Sequence, residues 1–440
     1  MNYAINVKNT LLNIISDMSN RPDDFSKHPG SDFTRNRKLN LKDLLYLSVA
    51  MEAGTTRDEL YKFFHYDDNT LTPSAFIQQR SKLSSDALPY LFYTFNKNFK
   101  HSLYKDKYQL LACDGSSFTF TRNPKDLESY YQPSDKSSKG FNQIHVVPLY
   151  DIISKRYTDC IIQPVRKKNE FEALYQLIDS HLPEEGSTPI YIADRGFHAW
   201  NVFAHAIEQG SYFLIRAKAL NTKRALGTDK PSDCDEYDIP ITRILTRSAA
   251  KRKRLHPELA DQYRYICKEV TFDYINEDSP EYSISLRVLR IKISDDIYEN
   301  IITNLPEEEF SPDEIKKIYN LRWQIEISFK DLKHSLGAMN FHSKKREFIE
   351  MEIWAKLLLY NFSSIISTHI AIKQKNRKYT YQINFRMAFK VCHYFIRQKN
   401  DEIPINVKCL IEQHILPIRP DRKFARQHRF RVPVNFIYRF

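Results

Sequence analysis

The chain has 440 residues, 42% hydrophobic and 27% charged, which is enough apolar surface for a substantial core and excludes a disordered protein. Lys and Arg number 66 against 54 Asp and Glu, a formal net charge of +12, and this balance favours a polyanionic partner through phosphate contacts. No apolar run reaches the roughly 18 residues of a membrane span, and MNYAINVKNTLLNIISDMSN lacks a basic start ahead of a long apolar stretch, so a soluble, cytoplasmic protein with no membrane partner is expected.

Residues 1–105 read as helices with a DNA-binding role. In LKDLLYLSVAMEAG the apolar residues recur at helical spacing, and Thr72-Pro73 ahead of SAFIQQRSKL supplies an N-cap and a first-turn proline. Two short helices with a turn between them resemble a helix-turn-helix, which would set Arg80 and Lys82 of the second helix against DNA. A plain helical packing unit fits the same pattern.

Residues 106–220 change to short strands: YQLLACD, IHVVPLYDI and RYTDCIIQPV, then a helix FEALYQLIDSHL, a strand PIYIAD, a helix and a strand YFLIRA. The order β-β-β-α-β-α-β predicts a mixed α/β sheet covered by helices, the arrangement of a ribonuclease-H-like domain. Residues 221–300 break this pattern with the basic run KRKR and the alternating segments YRYICKEVTFDYI and YSISLRVLRIKI, which predict a β-rich insertion of antiparallel strands. Residues 301–370 return to helix as the second part of the core. Residues 371–440 are helical and end in a basic, aromatic-rich tail whose Arg422 and Arg426 are candidate DNA contacts. The cysteines (Cys113, Cys160, Cys234, Cys267, Cys392, Cys409) are scattered singly, with no CxxC pair for zinc and no disulfide framework.

Asp114 ends the apolar run LLAC and Asp194 ends PIYIA, so each carboxylate stands at the edge of a buried strand, where ligands of such sheets bind. If the two strands are neighbours, the acids repel each other unless protonated or bridged by a cation, which implies a divalent metal. An Asp-Gly after a strand is also an ordinary turn.

A third acid lies on a helix that begins at Ser311-Pro312, with serine as N-cap, proline in the first turn and Glu314 completing a capping box. Ile318, Leu321, Ile325, Phe329 and Leu332 form its apolar stripe. Tyr319, Arg322, Glu326 and Lys333 form a second stripe on one face of a continuous helix. Arg322 with Glu326 also reads as an ordinary i,i+4 ion pair.

The spacing Tyr-x2-Arg-x3-Glu-x6-Lys over those four residues resembles the signature of bacterial DDE transposases of the insertion-sequence-four family. That family pattern also places one Asp in a D-G context and a second in an A-D-R-G-F context, matched by Asp114-Gly115 and by Ala193-Asp194-Arg195-Gly196-Phe197. The resemblance implies a ribonuclease-H-like core that excises and rejoins an insertion sequence. Asp114, Asp194 and Glu326 would then be the catalytic acids and would hold two Mg²⁺ or Mn²⁺ ions. Tyr319, Arg322 and Lys333 would bind phosphates of the terminal strand, with Arg195 beside them. Trp323 would stack on a flipped base, or else fill the core. The implied partners are double-stranded DNA at the terminal inverted repeats, target DNA and a second copy of the chain, in the bacterial nucleoid. A nuclease of the same fold without strand transfer would need the same acids, and a DNA-binding regulator or inactive copy would bind without cutting. The phosphate-binding helix and the three acids favour the transposase.

Overall fold

The computed structural model describes residues 3–133, 139–227, 235–294, 297–374, 378–398 and 402–419. Its first hundred residues form α1 (Tyr3–Ser19), α2 (Leu41–Ala50), α3 (Thr56–Phe63), α4 (Pro73–Arg80) and α5 (Ala87–Asn96). Local chemistry starts three of them. The Asn40 side chain accepts from the Asp43 amide ahead of α2, Thr55 and Asp58 close a capping box on α3, and Thr72 caps α4 with Pro73 in its first turn. The inward faces, among them Val7, Leu11, Leu44, Leu91 and Phe95, share one core with the long helix Arg346–Thr368.

That packing corrects one expectation. Arg80 does not reach outward: it is 3% exposed, and its guanidinium donates to Glu352 at 2.8 Å and to the Phe348 carbonyl. A guanidinium withdrawn from water into such a pair cannot meet a phosphate. Lys82 lies just past the end of α4, half-buried, with its ammonium over the Phe33 ring.

The central sheet follows, in the order β1 (Tyr108–Cys113), β2 (Ser116–Phe120), β3 (Tyr130–Tyr131), β4 (Phe141–Asp151), β5 (Arg156–Pro164), α6 (Glu170–Ser180), β6 (Thr188–Ala193), α7 (Trp200–Glu208) and β7 (Tyr212–Ala217). β5, β4 and β1 pair antiparallel, while β1, β6 and β7 pair parallel. This is the ribonuclease-H-like order that the alternation of elements predicts. β2 and β3 are additional short strands on β4. Alternate residues go to opposite faces. Leu110, Ala112, Ile190 and Ile192 join the core of the N-terminal helices, and Leu111, Cys113, Tyr191 and Ala193 join α6 and α7. Burial on both faces explains why β1 is apolar along most of its length.

The chain continues through α8 (Ala219–Leu226), β8 (Tyr237–Thr246), α9 (Ala249–Leu255), β9 (Tyr263–Tyr265), β10 (Glu281–Ser294) and β11 (Ile297–Thr303). β11 pairs with β7, so these strands extend the central sheet in the order β7-β11-β10-β8-β9. Two details differ from the predicted pattern. The segment YRYICKEVTFDYI is a strand only at β9, which runs parallel to β8. Beyond it Ile266 and Phe272 turn into the core shared with α6 and α7, and Asp273 is held by Asn201 and His205 of α7. Those contacts replace the ladder.

The third part comprises α10 (Pro312–Leu321), α11 (Trp323–Lys330), α12 (Arg346–Thr368), β12 (Tyr381–Ile383), α13 (Phe385–Arg397), α14 (Val407–Glu412) and β13 (Ile415–Pro417). The predicted continuous helix is interrupted at Arg322, whose amide bonds back to Tyr319 as in a 3₁₀ turn. It ends in a π turn, Asp331–Ser335, where the Leu336 amide reaches the Asp331 carbonyl. Ser311 caps α10, but Glu314 does not close a capping box. Its carboxylate is taken by Tyr104 at 2.6 Å and Lys105 at 2.7 Å. Ile318, Ile325, Phe329 and Leu332 are buried as the stripe predicts, with Leu321 half-buried. Arg422 and Arg426 lie outside the described residues. Among the described residues no helix is long and apolar enough to cross a membrane.

Candidate active site

Strand register places the first two acids. β1 and β6 are parallel neighbours with Cys113 opposite Ala193, so Asp114 and Asp194 leave the sheet at the same level from strands about 4.8 Å apart. Each carboxylate also shapes its own turn. Asp114 Oδ1 accepts from the Gly115 amide at 2.8 Å and Asp194 Oδ1 from the Gly196 amide at 2.7 Å. The turn reading and the site reading therefore coexist, with one oxygen of each acid fixing the backbone.

Burial lifts the Asp114 carboxyl to about 6; the Gly115 amide and Arg322 oppose the rise, and Asp194 and Glu326 add to it. Asp114 thus feels both other acids. Cys113 beneath it is pushed up by burial and then by Asp114, Glu170 and Asp194, which marks a concentration of negative charge at this sheet edge.

Glu326 comes from α11 and meets the Arg322 guanidinium at 3.2 Å, the i,i+4 pair that the spacing allows. Although burial opposes it, Tyr319, Glu326 and Asp114 hold the Arg322 proton more tightly than usual. Tyr319 is packed inward, 5% exposed, with Arg322 over its ring at 5.6 Å; here it backs the arginine instead of presenting an open surface. Lys333, on the π turn, donates to Ser116 Oγ at 2.7 Å and the Ser117 carbonyl at 3.0 Å. Burial pulls its ammonium down while Asp114 supports it. Trp323 is 52% exposed, so it is a surface ring and not a core aromatic. Arg195 is exposed in the turn after Asp194.

Among the described residues, no group of three or more His, Cys, Asp or Glu side chains is arranged to hold a metal ion. The donor chemistry of Asp114, Asp194 and Glu326 nevertheless suits a hard divalent cation. All donors are carboxylate oxygens, and burial first, with Asp194 and Glu326 adding to it, disfavours the charged Asp114 carboxylate that a cation would stabilise. Glu326 would exchange its Arg322 partner to join such a site.

Four neighbours of the site carry no motif. Ser116 and Ser117 were legible in principle, because SSFTF alternates with Phe118 and Phe120 buried. His145, on β4, and Glu170, at the start of α6, come from distant segments with no distinctive spacing.

Comparison with known proteins gives the following. The profile of the transposase DDE domain family matches residues 105–362, the span that contains all three acids. Over 349 residues the chain is 21% identical to transposase InsG of insertion sequence element IS4 from Escherichia coli (strain K12), covering 76% of this chain and 71% of that protein. A stretch of 58 residues is 41% identical to the transposase of insertion sequence element IS421 from Escherichia coli, 13% of this chain and 16% of that one. Among solved structures, a chain of the piggyBac transposase synaptic complex with hairpin DNA aligns over 96% of this chain and 87% of its own length, with a TM-score of 0.44 and 11% identity.

Proposed function

The chain belongs to the family of DDE-domain transposases, of the insertion-sequence-four type, and from that premise we infer a cut-and-paste reaction at the ends of its element with Asp114, Asp194 and Glu326 as catalytic acids. It is a DNA transposase, an enzyme of phosphodiester cleavage and strand transfer. The observation that carries the assignment of the acids is the register of β1 and β6, which brings two carboxylates to one sheet edge beside a glutamate helix whose charge reaches Asp114.

Mg²⁺ or Mn²⁺ held by these carboxylates would supply an activated water or 3′-hydroxyl and neutralise the leaving oxygen of an in-line attack. The remaining work belongs to the chain. Arg322 offers a planar fork to a phosphate once Glu326 turns to the metal. Lys333, fixed on β2, gives a point charge beside Asp114. In this reading the exposed Trp323 ring would stack on an extruded base, and the exposed Arg195 would contact the backbone next to Asp194. In the N-terminal helical region the DNA contact moves from Arg80 to a polar cavity of about 380 Å³ lined by Arg35, Arg37, Gln79 and Lys82. Two element ends cut in concert call for a dimer on two DNA ends. In this reading the catalytic core comprises residues 106–220 and 301–370, and the insertion 221–300 lengthens its sheet.

The test is incubation of the purified chain with linear duplex carrying the DNA that flanks its gene, in Mg²⁺ or EDTA, against Glu326→Ala. Metal-dependent nicks at the ends and joined products, both absent in the variant while end binding persists, are the expected result. Binding without cutting by the native chain would overturn it.

A further inference from the structure

We propose that His145 and Glu170 are positioning residues for transposition, holding the turn that carries Asp114 and the strand that receives Lys333. The proposal rests on the roles given above to those two residues.

His145 stands opposite Ser117 in the β2–β4 ladder and is 1% exposed. Its Nδ1 lies 3.1 Å from Ser117 Oγ, and its Nε2 lies 2.9 Å from Glu170 Oε1. The same carboxylate oxygen receives Lys168 Nζ at 2.9 Å. The Nε2 edge thus stands in close polar contact with the Glu170 carboxylate, and with Nδ1 unprotonated the ring accepts the Ser117 hydroxyl there. Through His145 first, and Lys168 after it, the Glu170 carboxyl is held down to about 2 against the cost of burial, so this side of the imidazole faces a charged group.

Gly115 makes room for this pair. A Cβ at that position would overlap Glu170 Oε1 and His145 Nε2, so imidazole and carboxylate rest directly against the peptide that carries Asp114. On the other side, the Ser117 residue bonded to His145 belongs to the strand whose Ser116 hydroxyl and Ser117 carbonyl accept Lys333. One line of contacts runs from Lys168 through Glu170, His145 and Ser117 to Lys333, passing beside Asp114. None of the inner members needs to touch DNA. They fix where a carboxylate and an ammonium stand, and a misplacement of about 1 Å at a reacting centre costs on the order of 100-fold in rate.

The test is a double-mutant cycle on single-turnover cutting of the same end-bearing duplex. His145→Ala is expected to slow cutting by about 10- to 100-fold, as partners behind a ligand shell do, with the Kd for the duplex changed by less than about twofold. In His145→Ala combined with Lys333→Ala the losses should not multiply, because both act through the same strand. Multiplying losses, or native cutting by folded His145→Ala, would overturn the proposal. If His145→Ala does not fold, Glu170→Gln, which keeps the shape on a part-exposed residue, carries the same cycle with an expected loss of about 3- to 10-fold. A native chain that never cuts its ends removes the transposase reading and this proposal with it; native cutting with unaltered variants removes this proposal alone.

Discussion

Asp114 and Glu352 are both carboxylates withdrawn from water, and their surroundings drive them in opposite directions. Burial opposes ionisation of Glu352, yet Arg80 at 2.8 Å and His342, through its amide at 3.0 Å and its ring at 3.1 Å, hold the carboxyl down to about 2. Asp114 has burial and two further acids against it, and rises to about 6. The first cluster is balanced within the chain and ties α4 to α12. In the second, burial dominates, and the Gly115 amide and Arg322 offset it only in part. A carboxylate balanced within the chain reads as structural, and one left uncompensated beside other acids is a candidate for a site.

The comparison breaks most visibly at the incomplete cluster. Asp114→Asn should lower cutting by on the order of 1,000-fold, since metal-held carboxylates contribute several kcal/mol to such reactions. In metal-free buffer the same variant should melt no lower than the native chain, because it removes an acid from a site already rich in them. A melting temperature several degrees lower would mean that Asp114 is a structural acid after all.

Arg80→Ala tests the other side. It leaves Glu352 buried without its main partner and should cost about 3–5 kcal/mol in urea unfolding, the range for breaking a buried pair. A loss below about 1 kcal/mol, accompanied by weaker DNA binding, would return Arg80 to the surface role first read from its helix.

The smallest effect is in acid. Glu352 titrates lower in the folded chain than its ordinary value of 4.5, so the stability it contributes is fully present above about pH 4.5 and fades as pH falls toward 2. Glu352→Gln should therefore flatten the dependence of urea stability on pH in that window. An unchanged slope would show that other carboxylates govern the acid limb.

Legibility followed the range over which each feature is determined. The core strands, the acids at their ends and the cap of α10 are written within a few residues, as LLAC before Asp114, PIYIA before Asp194 and Ser311-Pro312 before α10 show. Arg80 was misread because its partner Glu352 lies 272 residues away, and nothing in QQRSKL distinguishes an arginine that pairs inward from one that faces DNA. YRYICKEVTFDYI was misread for a similar reason, since His205 and Asn201 take Asp273 from another segment. The break at Arg322 has neither glycine nor proline to announce it, and Lys333 finds Ser116 across 217 residues.

The π turn at Asp331–Ser335 has a bearing on how kin of this chain are aligned. Six residues separate Glu326 from Lys333, but they are not wound at a constant pitch, because the last of them enter a turn that holds one residue more than an α turn. Seven steps of an ideal α-helix would bring the two side chains almost to the same azimuth; the wider turn offsets that phase and lays the lysine over β2. The Glu-to-Lys spacing is thus a ruler graduated for this bent rod. A relative with one residue fewer there, read by eye as conserving both letters, would point its lysine about 100° away from the strand.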